Sequence, residues 1–559
     1  MLLMKKIIFP LCILSLIACF SISCNNDSTK NKADIVVKNA KVWTGNPNQP
    51  EAEALAIKGD RLVFVGNTEG VQNFIGNKTQ VIDAKGQMLT PGFIDCHVHI
   101  NEGGTGLASV QLRDANTKQI FIQRIADFAK TVPKGTWITG GNWDHTLWGG
   151  ELPQASWIDS VTPYNPVAIR RLDGPMSLGN SLALKAANMT AQTKNIEGGV
   201  IERDAKGNPL GVCKDNAQDV LLAAVTPLSD ELMDKAFTMA MDLFVSKGVT
   251  SAHNMGTWDD LATFRRLQKT DKLKVRIYAN VPLSTWAKLA EEVAKNGKGD
   301  SKLRIGGLKG FADGALGSHT AAMLEPFTDN PSDKGFFITP LDSLYYYVSN
   351  ADKKGLNIMV HAIGDNAIRQ QLNIFERVEK ENGSRDRRFR IEHAQHISPQ
   401  DISRFAQLKV IPSMQPYHAI DDGRWAEKSI GHERCKTTYA FKSLFDSGAT
   451  VAFGSDWFVA PPTPLEGIYA ATTRRTLDDK NPNGWFPEQK ISVEQALKAY
   501  TVNAAYASFE EKDKGSLEVG KLGDFVLLGE DIRTIAPEKI KDIKIVMTVV
   551  GGKVVFQND

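Results

Sequence analysis

Two histidines two positions apart are the first residues in this sequence whose type and spacing could do chemistry. His97 and His99 end the stretch 91–99, PGFIDCHVH. An apolar run after a Pro-Gly turn predicts a buried strand, on which residues two apart point to the same face. Asp95, His97 and His99 are therefore expected to face one way. Because neutral imidazole nitrogens are favoured ligands of zinc-type cations, the pair predicts one side of a metal site.

Four further residues of the ligand type occur in other short apolar runs. Lys309 lies in the run 303–311, His361 ends 358–361, His393 ends 389–393 and Asp456 ends 450–456. Four imidazoles and a carboxylate suit two divalent ions, but a bridging anion is still needed. A lysine ammonium has no lone pair and cannot bind a cation. The carbamate formed from a lysine and carbon dioxide can bridge two ions as a carboxylate does.

The runs that carry these residues alternate with segments of helical periodicity, at 229–246, 341–354 and 493–501. Repeated β-then-α order predicts a parallel sheet in an α/β fold. Ligand-type residues at several strand ends are typical of a (β/α)8 TIM-type barrel with its site at the carboxyl rim. We place this barrel at 93–507. The stretch of about 106–240 is too long for one crossover, so it predicts an inserted subdomain.

Both ends of the chain contain short strand-like runs separated by Gly and Asn/Asp clusters. These lie at 34–92 and at 508–559. Strand-rich ends around an α/β middle predict a small β-sandwich lobe that both ends build together.

The N-terminus predicts export rather than part of the fold. Lys5 and Lys6 precede an apolar run that is too short for a confident membrane span, so residues 1–24 indicate a signal peptide. The polar stretch 25–33 is then a tether. Cys24 is the expected site of lipidation in a bacterial lipoprotein. Cys19 fits the usual lipobox pattern better, but cleavage there would leave the apolar residues 20–22 at the start of the mature chain. Simple secretion, with no lipid attached, is the other alternative. The expected location is the periplasm or cell surface, with a lipid anchor as the sole membrane attachment.

The net charge and the spacing of the cysteines exclude some classes of partner and of site. The 559 residues carry a formal net charge of +2, which gives no reason to expect nucleic acid. Cys96, Cys213 and Cys435 are widely spaced, so neither a disulfide framework nor a thiolate zinc site is indicated. The expected partner is a small molecule. The sequence leaves the oligomeric state open, including a homodimer.

The motifs together resemble the amidohydrolase superfamily, and specifically its family 3 branch of N-substituted formamide deformylase-like proteins. The resemblance implies a metal-bearing (β/α)8 barrel, a β-sandwich lobe from both ends, and hydrolysis of C–N bonds in amides. The stretches that carry it are 92–99, 307–314, 360–365, 390–395, 454–457, and 515–517 with 520–521.

Carried over to this sequence, the resemblance implies that His97, His99 and Asp456 hold one metal ion. His361 and His393 would hold a second, and carbamylated Lys309 would bridge them. The ions are expected to be zinc, although manganese or iron suit the same donors, and one ion would suffice if Lys309 stays unmodified. Metal-activated hydroxide would attack the substrate, with Asp456 as the catalytic proton carrier.

Five further residues are candidates for substrate binding: His253, Asp313, His319, Gln415 and His418. A core or supporting role is the alternative for His253, and a structural role in its loop is the alternative for His319. Glu392 adjoins His393, so strand alternation predicts that Arg390 and Glu392 form an outward-facing pair. Many relatives have a histidine where this chain has Pro175, which weakens any inference of substrate from them.

Three functions are compatible with this sequence. The first is a metal-dependent amidohydrolase acting on a non-peptide amide, formamide or cyclic amide. The second is a deaminase or esterase that uses the same site. The third is a surface lipoprotein that binds a ligand without turning it over. The intact ligand set favours an enzyme.

Overall fold

A computed structural model describes residues 32–171, 176–194, 196 and 199–558. Its centre is an eight-stranded parallel barrel whose strands pair in chain order. The first and last strands close the barrel through backbone hydrogen bonds, from the His99 amide to the Trp457 carbonyl and from the Asp456 amide to the His97 carbonyl. The barrel strands, β1 to β8, are Phe93–Val98, Val249–Met255, Arg276–Pro282, Leu303–Phe311, Asn357–Ala362, Arg390–His393, Ile411–Met414 and Ala452–Phe453. The predicted α/β barrel is confirmed.

Helices surround the barrel, and their apolar faces pack on the strands. Ser229 caps one of them by accepting a hydrogen bond from the Leu232 amide, and Phe237 and Phe244 of the same helix are fully buried. The helices of this layer and of the connecting loops are Ile100–Leu107, Asp230–Ser246, Trp258–Lys269, Trp286–Asn296, Leu341–Lys353, Asp365–Asn382, Ile402–Gln407, Pro416–Asp422, Ala426–Ile430, His432–Cys435, Phe441–Asp446, Pro464–Thr473, Val493–Ala499 and Val502–Ala507.

The inserted subdomain separates the helices Ile100–Leu107 and Asp230–Ser246. It has its own core, in which Trp143 is fully buried and donates its indole N–H to the Ile169 carbonyl at 3.1 Å. Its six-stranded sheet has the order Gly199–Arg203, Pro209–Asp215, Met176–Gly179, Ala168–Arg171, Gly140–Trp143 and Val110–Gln111. Its helices are Lys118–Ala129, Ala155–Ile158, Ser181–Ala186 and Ala217–Ala223.

The lobe is built from both ends of the chain. Val37 and Leu55 of one sheet share a buried cluster with Leu89, Phe525 and Val549 of the other. The four-stranded sheet contains Arg61–Gly66, Ala54–Lys58, Ile35–Lys38 and Gln80–Asp83. The six-stranded sheet contains Lys553–Gln557, Ile545–Val550, Phe525–Leu528, Met88–Pro91, Lys41–Trp43 and Glu51–Ala52.

A buried ion pair joins the lobe to the barrel. Arg276 at the start of β3 donates two hydrogen bonds to Asp524, at 2.6 and 2.8 Å. Burial opposes ionisation of Asp524, but the Arg276 guanidinium holds its pKa below the usual value. The lobe is therefore fixed to the amino-terminal end of this barrel strand.

Three predicted features lie outside the described residues: Cys24, Cys19 and Pro175. Among the described residues, no helix combines the length and the hydropathy that crossing a membrane requires.

Candidate metal centre

An acidic residue, Glu392, fixes the orientation of the His97 ring. His97 lies on β1 with no exposed side-chain surface, and its Nδ1 is 2.6 Å from Glu392 Oε2. Because a carboxylate only accepts, Nδ1 carries the hydrogen and Nε2 keeps its lone pair. Arg390 forms an ion pair with Glu392 at 2.8 Å, and both side chains are fully buried. The predicted outward-facing pair is therefore wrong: Arg390 and Glu392 point into the barrel.

Asp456 meets both histidines of the first motif. Its Oδ1 is 3.3 Å from His99 Nε2 and 3.5 Å from His97 Nε2. Asp456 has a φ of 60°, which turns the chain directly after β8. Asp95 fixes this turn instead of joining the histidines, because its carboxylate accepts hydrogen bonds from the Ser455 amide at 2.8 Å and the Ser455 hydroxyl at 2.6 Å.

His393 reaches the same space because the chain leaves β6 in an unusual conformation. The φ angles of His393 and Ala394 are 72° and 43°, which non-glycine residues seldom adopt. His393 Nδ1 is 2.9 Å from Gln415 Oε1. The amide oxygen can only accept, so His393 Nε2 is left with a free lone pair. Gln415 is fully buried and supports His393 rather than lining the cavity.

His361 and Lys309 complete the floor from β5 and β4. The Nε2–H of His361 donates to the Gly314 carbonyl at 2.9 Å, which leaves Nδ1 as its available lone pair. The His361 and His393 rings lie 4.4 Å apart between centroids. Lys309 Nζ is 3.1 Å from His97 Nε2. Burial lowers the pKa of Lys309 to about 8, so a large share of its amine is neutral near that pH and can react with carbon dioxide.

His418, predicted as a substrate-binding residue, lies within ligand distance of the centre. The described residues contain two groups whose donor atoms all lie within 4.8 Å of one another: His97, His99 and Asp456, and His393, His418 and Asp456. His418 Nε2 is buried with no hydrogen-bond partner among the described residues, 4.0 Å from Asp456 Oδ2.

The protonation states suit a divalent cation. Burial lowers the pKa values of His97 and His393 well below the ordinary value for histidine, and lowers that of His361 to about 4. These imidazoles are therefore neutral at pH 7, which is the form that binds metal. Neutral imidazoles with fixed tautomers, one carboxylate and an unpartnered His418 nitrogen fit a divalent metal centre.

The centre is the floor of an open cavity of about 510 Å³. His99, Lys309, His361, His393, His418 and Asp456 line it, and His97 lies directly behind them. The cavity opens at the carboxyl ends of the barrel strands, as the rim position of these residues predicts.

Three of the predicted substrate-binding residues lie elsewhere. His253 is fully buried in the barrel, with Nδ1 3.0 Å from Arg390 Nη1. Asp313 accepts hydrogen bonds from the backbone amides of Ala322, Ile363 and Gly364 and lies 3.7 Å from His361 Nε2; burial raises its pKa to about 7. His319 stacks on Phe327 and lies 3.3 Å from Asp329. None of the three lines the cavity.

A (β/α)8 barrel with histidines, an aspartate and a lysine at its carboxyl rim is the arrangement of metal-dependent hydrolases. The chain belongs to the amidohydrolase family, whose sequence pattern matches residues 80–556. It is similar to the protein LONG AFTER FAR-RED 3 of Arabidopsis thaliana, with 38% identity over 94% of this chain and 92% of that protein. It is also similar to the putative amidohydrolase YtcJ of Bacillus subtilis, with 30% identity over 92% of this chain and 98% of that protein.

Similarity over most of the chain also extends to a named enzyme and to a solved structure. The N-substituted formamide deformylase of Arthrobacter pascens is 25% identical over 93% of this chain and 97% of that enzyme. The crystal structure of an uncharacterized metal-dependent hydrolase from Pyrococcus furiosus superposes with a TM-score of 0.76 and 27% identity. It covers 89% of this chain and 100% of that one. Family and site together support the use of divalent metal.

Proposed function

We propose that this chain hydrolyses a C–N bond of a small non-peptide amide, a formamide or a cyclic amide, with zinc at the centre. The observation that carries the proposal is the approach of Asp456 to His99 and His97, at 3.3 and 3.5 Å, on the floor of an open cavity. The similarity to a formamide deformylase along nearly the whole chain supports the C–N bond as the target.

His97, His99 and Asp456 would hold one ion. His361 and His393 would hold the other, with His418 in reach of it, and the carbamate of Lys309 would bridge the two. Bound there, divalent metal lowers the pKa of water and polarises the substrate carbonyl. The bridge is proposed because Lys309 Nζ is 3.1 Å from His97 Nε2, and an ammonium so close to metal ligands would repel the cations.

The residues of the chain perform the proton transfers and the positioning. Asp456 accepts a proton from the attacking water and returns it to the leaving nitrogen. Glu392 and Gln415 hold the His97 and His393 tautomers, so both rings keep a lone pair toward the cavity. His418 has a free Nε2 beside Asp456 and is placed to contact the substrate carbonyl or the leaving group.

Metal content tests the centre directly. The parent chain and its Lys309→Ala variant are produced with bicarbonate present and analysed for zinc per chain. We expect about two ions in the parent and one or none in the variant. An exposed lysine of the Pro537–Asp542 turn provides the matched control, Lys539→Ala. One ion in all three proteins would overturn the bridge, and no metal in any of them would overturn the enzyme in favour of a ligand-binding lipoprotein.

Turnover assays then distinguish hydrolysis of an amide C–N bond from ester cleavage and deamination. Metal-loaded parent is incubated with matched amides, esters and aminopurines, and release of amine, alcohol or ammonia is measured. Preferential amine release is expected. Exclusive ester cleavage or purine deamination would replace the C–N amide assignment while leaving the metal centre in place.

We also propose export and lipid anchoring, on the strength of the N-terminal sequence. Labelled palmitate fed to a bacterial host should enter the parent chain and not the Cys24→Ser variant. Unchanged labelling of Cys24→Ser with loss in Cys19→Ser would move the anchor to Cys19.

A further inference from the structure

The cavity above the metal centre is predominantly apolar. The side chains that rise from its floor to its mouth include Phe311, Leu316, Ile363, Trp425, Phe458 and Val459. Phe311, Phe458 and Val459 are 42%, 54% and 63% exposed. Large apolar side chains left in water beside a catalytic cavity favour a ligand that covers them.

Above the floor, the charged side chains that line the same cavity are acidic. No arginine lines it among the residues that the structure describes, and Lys309, the proposed bridge, is the sole lysine there. Glu102 and Asp422 line it in addition to Asp456. Glu102 is exposed and forms no ion pair within the described part of the chain. Asp422 accepts hydrogen bonds from the Tyr439 hydroxyl at 2.5 Å and the Gln395 amide at 2.8 Å.

Above the metal-bearing floor, a carboxylate on the substrate would meet neither an arginine nor a lysine among the described residues. Recognition of a carboxylate normally uses an arginine fork or a free lysine, and neither is available above the floor. Burying it unpaired beside Glu102 and Asp422 would cost desolvation and repulsion. A neutral aromatic or aliphatic group meets complementary walls, and the amine that hydrolysis releases meets carboxylates of opposite charge.

We propose that the enzyme selects amides whose substituent is large, apolar and free of negative charge, and that it rejects amides carrying a carboxylate, such as N-acyl amino acids. This inference rests on the proposed function and adds its substrate class. Glu102 is the specificity residue that repels the carboxylate at the mouth, and Trp425 with Phe311 forms the wall for the apolar group.

Three matched substrates test the selection with the zinc-loaded enzyme. N-acetylbenzylamine is neutral, N-acetylphenylglycine adds one carboxylate, and the methyl ester of N-acetylphenylglycine restores neutrality with only one methyl group more than the acid. We expect kcat/KM for the carboxylate to be about 100-fold below that of the neutral amide, as for a charged group left unpaired in a site. The ester should lie within about tenfold of the neutral amide. Equal rates for carboxylate and ester would overturn the proposal.

Substitutions at the mouth of the cavity identify the residues that cause the discrimination against carboxylate. Glu102→Gln should reduce the discrimination against carboxylate about threefold to fivefold, because Glu102 is exposed and partly screened. Glu102→Arg should reduce it further. The matched control is Glu69→Gln, an exposed glutamate of the lobe without an ion pair among the described residues. Trp425→Ala should raise KM for the benzyl amide by a larger factor than KM for acetamide. Unaltered discrimination in Glu102→Arg would remove Glu102 from this role.

A binding measurement distinguishes a failure of this inference from a failure of the proposed function. Benzohydroxamic acid, its 4-carboxy derivative and the methyl ester of that derivative are titrated into the zinc-loaded protein by calorimetry, with no turnover required. Tighter binding of the two neutral hydroxamates supports the selection even if no amide is hydrolysed. Equal or tighter binding of the carboxylate would overturn the selection even if amides are hydrolysed.

Discussion

His97 donates its Nδ1–H to Glu392 Oε2 over 2.6 Å, and neither side chain has exposed surface. The two residues lie on the first and sixth strands of the barrel, so the contact crosses the barrel interior. Glu392 in turn pairs with Arg390, whose Nη2 donates to the Cys96 carbonyl at 2.8 Å beside His97. The orientation of one candidate ligand is therefore set by an ion pair on the opposite wall.

Replacing Glu392 by glutamine should weaken metal binding without removing a ligand. The amide can present its N–H₂ to His97 and no longer selects the Nδ1–H tautomer, so we expect zinc affinity to fall about 10-fold to 100-fold. Chelator competition on the folded variant measures this, and Glu69→Gln is the matched control. Because Arg390 loses its counter-charge, the double variant Arg390→Met/Glu392→Gln separates stability from affinity. Parent-like affinity in Glu392→Gln would contradict the support role.

The sequence was sufficient where the regular periodicity of a strand or a helix alone decides where a residue lies. The run 303–311 is a strand over the same residues, Leu303–Phe311, and Lys309 faces the cavity from it. The run 229–246 is a helix at Asp230–Ser246 with Ser229 as its cap. In both cases a long periodic pattern left one orientation that buries the apolar residues.

The predicted side-chain orientations were wrong where the backbone departs from regular strand geometry. Alternation placed Glu392 opposite to His393, yet both point inward because His393 and Ala394 adopt positive φ. Nothing in the letters His-Ala signals that conformation, which tertiary contacts impose. The strand Arg276–Pro282 escaped prediction because no ligand-type residue ends it and its inward Tyr278 and Asn280 interrupt the apolar run. His418 was assigned to substrate because the placement of its short helix, Pro416–Asp422, beside Asp456 is not readable from residue spacing.

The variant Asp456→Asn tests the role of Asp456 in proton transfer. The amide keeps the shape of the side chain but cannot accept the water proton, so kcat should fall about 100-fold to 10,000-fold. Zinc per chain is measured on the same samples, so that lost metal is distinguished from lost proton transfer. Full metal-dependent turnover in Asp456→Asn would remove the residue from catalysis.

His396 should make the protein sensitive to acid. Its ring is buried between the Thr438 hydroxyl, 2.9 Å from Nδ1, and the Gln395 amide, 3.1 Å from Nε2, and burial lowers its pKa from 6.5 to about 3. Below pH 6.5 the unfolded chain binds a proton that the folded chain refuses, so stability falls as pH falls toward 3. Between pH 7.5 and 5.0 the loss is about 2 kcal/mol.

Denaturation at pH 7.5 and 5.0 checks this with parent and His396→Gln, both loaded with zinc. Glutamine cannot be protonated in this range, so the variant should lose about 2 kcal/mol less than the parent on acidification. An identical pH dependence in both proteins would show that His396 is not the titrating group.

The Arg276–Asp524 pair should be the main electrostatic link between barrel and lobe. Both side chains are almost completely buried, at 2% and 5% exposed, so Asp524→Asn leaves an uncompensated guanidinium and should lower the free energy of unfolding by about 3–5 kcal/mol. The double variant Arg276→Met/Asp524→Leu should recover most of this loss, because no buried charge remains. Urea denaturation measures both.

A second pair between the same two parts of the molecule provides the control. Lys553 of the lobe contacts Asp271 of the barrel loop at 3.0 Å, and both side chains are well exposed. Asp271→Asn therefore removes a screened, solvated contact and should leave the unfolding midpoint close to that of the parent. A loss as large as that of Asp524→Asn would mean that the charge balance across the interface, and not burial of the Arg276 guanidinium, holds the lobe in place.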